Sequence, residues 1–161
     1  MPEPAAKAPT FPAGLDGRRR VVLSAVRPSV DGGRHAAKRI VGEPVVVEAD
    51  VLVDGHDKLA GALLYRRRGE SGWREVPLEP LDNDRWRGVF SPDVVGAWEF
   101  AVSAWVDGYA TWAHGLRRKL DAGQEIELEL AAGAALFSAA AARPRGGAAD
   151  RLDTVAGVLR A

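Results

Sequence analysis

Residues 84–107, DRWRGVFSPDVVGAWEFAVSAWVD, decide the fold. Trp86, Gly88 and Phe90 recur at period two, which puts them on one side of a strand. Trp98, Phe100, Val102, Ala104 and Val106 do the same on a second strand, and Trp105 faces the other way. Between the two, Pro92 cannot donate a ladder hydrogen bond and Gly96 can take a positive φ, so the chain stops and reverses. Two aromatic-bearing strands so connected belong to the core of an antiparallel β-sandwich.

The flanking sequence extends the pattern. Residues 20–26 (RVVLSAV) read as a first strand. RPSVDGGR follows as a loop, because proline ends the strand and Asp31-Gly32-Gly33 is turn chemistry. Residues 38–41 read as a short second strand. Residues 44–53 form a clear strand, with Val45, Val47, Ala49, Val51 and Val53 on one face and Glu48 and Asp50 on the other. Residues 61–67 and 73–78 read as a hairpin closed by RGESG. That gives about seven short strands bounded by turn residues, the pattern of an immunoglobulin-like antiparallel sandwich over residues 20–107. No β-α-β alternation argues for a parallel sheet.

Beyond Asp107 the period changes. Tyr109, Trp112, Leu116 and Leu120 are spaced three and four apart, a helical stripe ending near Arg117, Arg118 and Lys119. In QEIELELAAGAALFSAAAA, Ile126, Leu128 and Leu130 alternate like a strand, while Ile126, Leu130, Ala134 and Phe137 share a helical face. The alanines and glutamates favour the helix. Residues 143–149 (RPRGGAA) are a breaker, and Asp150 is positioned to cap a last helix carrying Leu152, Val155, Ala156 and Leu159. Residues 108–161 therefore read as a helical hairpin or three-helix appendage. Residues 1–19, with four prolines in the first fourteen positions, read as a disordered lead-in without the apolar middle of a secretory signal.

Composition excludes several classes of function. The 161 residues carry 22 Lys plus Arg and 22 Asp plus Glu, so no net field favours nucleic acid or an anionic membrane. Without cysteine there is no disulfide, thiolate metal site or cysteine nucleophile, which fits a cytoplasmic protein. No apolar run approaches the roughly 18 residues of a membrane span. Asp54, His56, Asp57, Asp82 and Asp84 match no metal cage, and turn formation explains them better. His35, His56 and His114 are far apart, and no serine stands in a nucleophile elbow. Nothing selects a carboxylate pair for glycoside chemistry. No catalytic residue, cofactor or metal is expected. Of the five tryptophans, Trp86, Trp98 and Trp112 lie in phase with apolar neighbours and read as core. Trp73 and Trp105 have polar neighbours and are the candidates for glucan or interface contact. Arg18-Arg19-Arg20 and Arg66-Arg67-Arg68 read as solvated strand ends.

Several segments carry a further signal: VRPSVDGGR (residues 26–34), KRIVGE (38–43), VEADVLVDGHD (47–57), LDNDRWRGVF (81–90), WEFAVSAWVD (98–107) and WAHGLRRKL (112–120). In this order and spacing they resemble the N-terminal domain of the alpha-1,4-glucan:maltose-1-phosphate maltosyltransferases, over about residues 20–140 and fading after about 142. The resemblance implies a retaining transferase of the alpha-amylase superfamily that elongates α-glucans from maltose 1-phosphate. Its aspartate nucleophile and glutamate acid/base belong to a (β/α)8 barrel, and no residue here matches them. It also implies that this segment is a non-catalytic sandwich with a helical insertion, contributing to a homodimer and reaching glucan and maltose 1-phosphate only through the barrel. This chain would then be a fragment whose sandwich lacks a closing strand and leaves an open edge. A free-standing glucan-binding module, or a protein-interaction module using that edge, are the alternatives.

Overall fold

The computed structural model describes residues 20–142 and 149–160. The lead-in read at residues 1–19, and the breaker at 143–149 apart from Ala149, lie outside the described residues. Seven strands are present: β1 (Val21–Arg27), β2 (Val45–Val53), β3 (Leu59–Arg67), β4 (Arg74–Pro77), β5 (Glu79–Pro80), β6 (Arg85–Phe90) and β7 (Trp98–Val106). Helices α1 (Gly108–Asp121), α2 (Glu127–Ala141) and α3 (Ala149–Val158) follow. The strands form two antiparallel sheets, in the orders β1-β2-β6-β5 and β4-β3-β7.

Alternation built this core. Val45, Val47, Ala49 and Val51 all point inward from β2 and are buried. Val47 and Leu63, both 0% exposed, meet from opposite sheets with Leu78 and Phe90. Tyr65, Val76, Trp86, Trp98, Phe100 and Val102 close around them. Tyr65 stacks on Phe90 at 4.6 Å between ring centroids, and Phe90 also faces Trp98 and Phe100. Trp86 and Trp98 are thus core-margin residues, as expected. Trp112 is partly buried in a separate helical cluster, edge-on to Phe137 at 5.7 Å.

The two strands of residues 84–107 do not pair with each other. β6 pairs with β2 and β7 pairs with β3, so the intervening turn carries the chain from one sheet to the other. The hairpin of β3 and β4 is formed, with Tyr65 opposite Arg74. Two details differ from the sequence reading. Residues 38–41 are not a strand: they join no ladder, Ile40 and Val41 stay exposed, and the turn after them is tied down by Gly42 N–H donating to Pro92 O at 2.8 Å. The second difference follows the strand read at 73–78, which is present as β4. After Pro77 the chain leaves β3, buries Leu78, and joins β6 as the two-residue β5. Leu78 N–H still donates to Gly61 O at 2.8 Å, which fixes this switch point.

Glycine sets the distance between the sheets at that point. A Cβ on Gly88 would lie 2.9 Å from both Leu63 Cβ and Leu78 Cδ2, and one on Gly61 would lie 2.8 Å from Leu78 Cδ1. Leu63 Cβ cannot swing away as a side-chain tip can.

The helical reading holds for all three helices. The Asp107 side chain caps α1 by accepting from Ala110 N–H at 2.9 Å. Residues 124–126 precede α2, so the ambiguous run is helical from Glu127. Asp150 is not a cap. It lies inside the first turn of α3, where its charge still suits the helix N-terminus. Trp112 Nε1–H donates to Glu129 O at 2.6 Å and its ring lies where a side chain on Gly133 would be.

Two substitutions test this packing. Gly88→Ala is expected to lower unfolding stability by about 1–3 kcal/mol through overpacking, read by urea denaturation. Gly133→Ala, whose Cβ would stand 2.3 Å from Trp112 Cζ2, is expected to separate α1 from α2 and expose Trp112. A red shift in tryptophan emission would report it, with the β-sheet circular dichroism kept.

Candidate interaction surfaces

The outer faces of the two sheets differ in chemistry. On the four-stranded sheet, the register puts Asp50 opposite Arg85 and Glu48 opposite Arg87. Arg85 reaches both acids, with Nε 2.7 Å from Asp50 Oδ1 and Nη1 3.3 Å from Glu48 Oε2. The hydrogen bond Arg85 donates to Asp50, and then the Asp50 charge, raise the Arg85 pKa further. Arg87 also faces Glu79. These paired charges share the face with Val22, Val46, Leu52 and Val89, which stay exposed.

The three-stranded sheet is uncharged at its centre. Ala60, Ala62 and Leu64 of β3 stand opposite Trp105, Ser103 and Ala101 of β7. Charge is confined to one end, where Arg66 and Arg68 both hold Glu99, with nitrogen–oxygen distances of 3.1 Å. Hydrogen bonds from Arg68 and then Arg66 hold the Glu99 carboxyl below its usual 4.5. Arg20 and Arg68 are solvated as read while also holding an acid, and Arg66 is more covered, donating as well to Glu70 O at 3.1 Å.

Both candidate tryptophans are exposed, Trp73 at 42% and Trp105 at 45%. Trp105 lies on the outer face opposite Ala60, and Trp73 lies at the Arg66 end of the same sheet. Six strand residues separate the two ends, about 20 Å at the usual rise. One sugar ring cannot span both. The Arg66 guanidinium covers Trp73 at 4.2 Å from the ring centroid, leaving one indole face for any other partner. Trp105 has no such cover among the described residues.

β7 has a second feature. It pairs with β3 on one side, and among the described residues no strand pairs with its other edge. Its inward residues are only half-buried, whereas those of β2 are buried along most of its length. β1, the outer strand of the facing sheet, is also open, with Val22 and Leu23 exposed. The core is buried most deeply at β2 and β3 and less so on the side bounded by β1 and β7, where the two strands come near each other without pairing.

Several other acids are also partnered. Asp57 faces Arg20, Glu70 and Asp93 face Arg74, and Glu129 is held by Lys119, which lowers its pKa. Asp84, with Asn83, takes a positive φ in the turn before β6. Among the described residues no three His, Asp or Glu side chains gather as metal ligands. No described helix is long and apolar enough to cross a membrane.

The Glu99 clamp gives a pH-dependent prediction. Its carboxyl is depressed in the folded state, so its stabilising contribution is present above about 4.5 and lost as pH falls through the lower folded value. Glu99→Gln is therefore expected to be less stable than the parent near neutrality. The difference should shrink on acidification below 4.5, as thermal melts between pH 7 and 3 would show.

Comparison with known proteins agrees with the motif order. Residues 19–161 match the family model described as alpha-1,4-glucan:maltose-1-phosphate maltosyltransferase, domain N/S. The match runs past residue 142, where the recognisable motifs fade. The chain is 45% identical over 145 residues to the alpha-1,4-glucan:maltose-1-phosphate maltosyltransferase of Chlorobaculum tepidum, covering 90% of the chain and 22% of that protein. It is 44% identical over 129 residues to that of Myxococcus xanthus, covering 78% of the chain and 19% of the relative. With the protein of the same name from Rhodospirillum rubrum it shares 38% over 152 residues, 88% of the chain and 22% of the relative. The chain spans about a fifth of the length of these relatives.

Proposed function

This chain belongs to the domain N/S family of the alpha-1,4-glucan:maltose-1-phosphate maltosyltransferases, and from that premise we propose that it is a non-catalytic, assembly-forming module of such an enzyme. The observation that carries the reading is the match over residues 19–161 to one domain of proteins about five times longer. The arrangement of charge supports it. Glu48, Asp50, Glu70, Asp93 and Glu99 are tied to arginine, and the free edge of β7 runs beside an uncharged strip of outer-face residues.

Two surfaces suit assembly. The strand orders β1-β2-β6-β5 and β4-β3-β7 correspond to the A-B-E-D sheet of an immunoglobulin-like sandwich and to the strands beside C and F. On that reading the free edge of β7 is the position of a G strand, and a strand from elsewhere in the enzyme would pair there and cover Phe100 and Val102. The helical appendage exposes Tyr109, Leu120, Leu128 and Val158, with Leu128 at 81%. These are the residues we assign to a homodimer contact.

The reading expects the purified 161-residue chain to release no phosphate from maltose 1-phosphate in the presence of glycogen; turnover would overturn it. It also expects sedimentation equilibrium to show concentration-dependent dimers that Leu128→Glu dissociates. Monomers at every concentration would remove the dimer role.

A glucan-binding role has one observation in its favour, the uncovered indole of Trp105 beside a strip of small residues. Under this second reading, migration through a glycogen-containing native gel is retarded and Trp105→Ala restores it. Unretarded migration of the parent chain would leave the assembly role alone.

A further inference from the structure

A cleft of about 610 Å3 lies where the β2–β3 connection meets α1, and its lining concentrates basic side chains that nothing above uses. His56 and Lys58 enter it from the connection, and His114 and Arg118 enter from α1. His114 and Arg118 are four residues apart, so they lie on one face of the helix. Lys58 and Arg118 make no ion pair among the described residues, although most charged groups on the sandwich do. In a chain of zero net charge, this is a local excess of cationic and hydrogen-bond-donating groups.

Two carboxylates line the cleft, and they do not cancel this excess. The buried Asp57 Oδ2 faces Arg20 Nη1 at 2.6 Å, an ionic contact without hydrogen-bond alignment. That leaves Asp84 alone against Lys58 and Arg118. The floor is apolar, with Leu81 and the half-buried Trp86 among its residues.

The basic rim is held in place from both sides. Lys58 N–H donates to Thr111 Oγ1 at 2.9 Å, and Lys58 O accepts from Asp107 N–H at 2.8 Å, which fastens the connection to the start of α1. On the other side, Arg20 Nη2 donates to Asp54 O at 2.6 Å. Gly55, at φ +101, keeps the turn beneath that guanidinium. A loop already fixed in this way loses little further entropy when a ligand arrives.

We infer that this cleft binds a phosphate monoester of a small polyol, with the phosphate between Lys58 and Arg118 and the carbon skeleton over Leu81 and Trp86. Two cations and two imidazoles supply charge-assisted donors to a phosphate, and the volume of about 610 Å3 admits a sugar-sized ligand. The inference does not depend on the family's reaction, because it uses only residues of this chain away from the β7 edge.

The three histidines make the test direct. Two line the cleft, and His35 lies outside it beside Asp31 at 3.7 Å. The ring-proton resonances of the 161-residue chain are followed by NMR at fixed pH against inorganic phosphate, glucose 1-phosphate, maltose, and sodium chloride at matched ionic strength. The expected result is a saturable shift at His56 and His114, with His35 unmoved, for inorganic phosphate and more tightly for glucose 1-phosphate. Lys58→Ala and Arg118→Ala should each weaken binding about tenfold. Arg117→Ala, an exposed neighbour on α1 outside the lining, should not. All three side chains are exposed, and retained tryptophan emission checks that the variants fold. The inference is overturned by equal movement of His35, by the same shifts with chloride or maltose, by no shift with phosphate, or by undiminished binding in both cleft variants.

Discussion

The contact of Gly88 with Leu63 and Leu78 is the constraint on which the rest of the sandwich depends. Three segments meet there: β6 from one sheet, β3 from the other, and the chain between β4 and β5 as it changes sheets. The absence of a side chain at Gly88 and Gly61 lets the sheets approach until Leu78 fills the gap. That seats Val47 and Leu63 without solvent contact and sets the height at which Tyr65, Phe90, Trp98 and Phe100 stack. Close packing of this kind leaves little room to absorb an added methyl group.

From that closed centre the molecule opens toward β7 and β1. Closure on one side and exposure on the other explains why a chain with a well-formed core presents a long unpaired strand edge. Edges of this kind are normally blunted by charge, proline or a covering element. Here Arg66, Arg68 and Glu99 gather at one end of the three-stranded sheet, while Ala101, Ser103 and Trp105 carry no charge. The charged outer face of the other sheet has satisfied its own partners. The two outer sheet faces therefore differ: one carries paired charges among exposed valines and a leucine, and the other carries an uncharged strip beside a free strand edge.

Much of this was legible in the sequence because the strands of the core alternate cleanly. Val45, Val47, Ala49 and Val51, and the aromatic alternation of residues 84–107, marked the core residues before any coordinates. The three-and-four spacing of Tyr109, Trp112, Leu116 and Leu120 marked α1. What escaped reading depended on partners distant in the chain. Two-residue β5 exists only because β6 offers it an edge, and residues 38–41 join no ladder among the described residues. The roles of Arg20, Arg66 and Arg85 follow from register, which brings each beside acids more than thirty positions away. Trp73 and Trp105 are exposed, and the guanidinium over Trp73 is a cross-strand fact that local pattern does not carry. The cleft was missed for the same reason: His56 and His114 share it only because α1 returns across the β2–β3 connection.

The central claim is a sandwich sealed at Gly88, Leu63 and Val47 and unpaired along the outer edge of β7. Amide hydrogen exchange of the chain, resolved by residue, tests it most directly. The account requires the Leu63, Val47 and Gly88 amides to exchange only by global unfolding. Alternate β7 amides, those directed away from β3, must exchange orders of magnitude faster than their neighbours. Uniform protection of every amide from Trp98 to Val106 would mean that the edge is already covered, and would contradict the account.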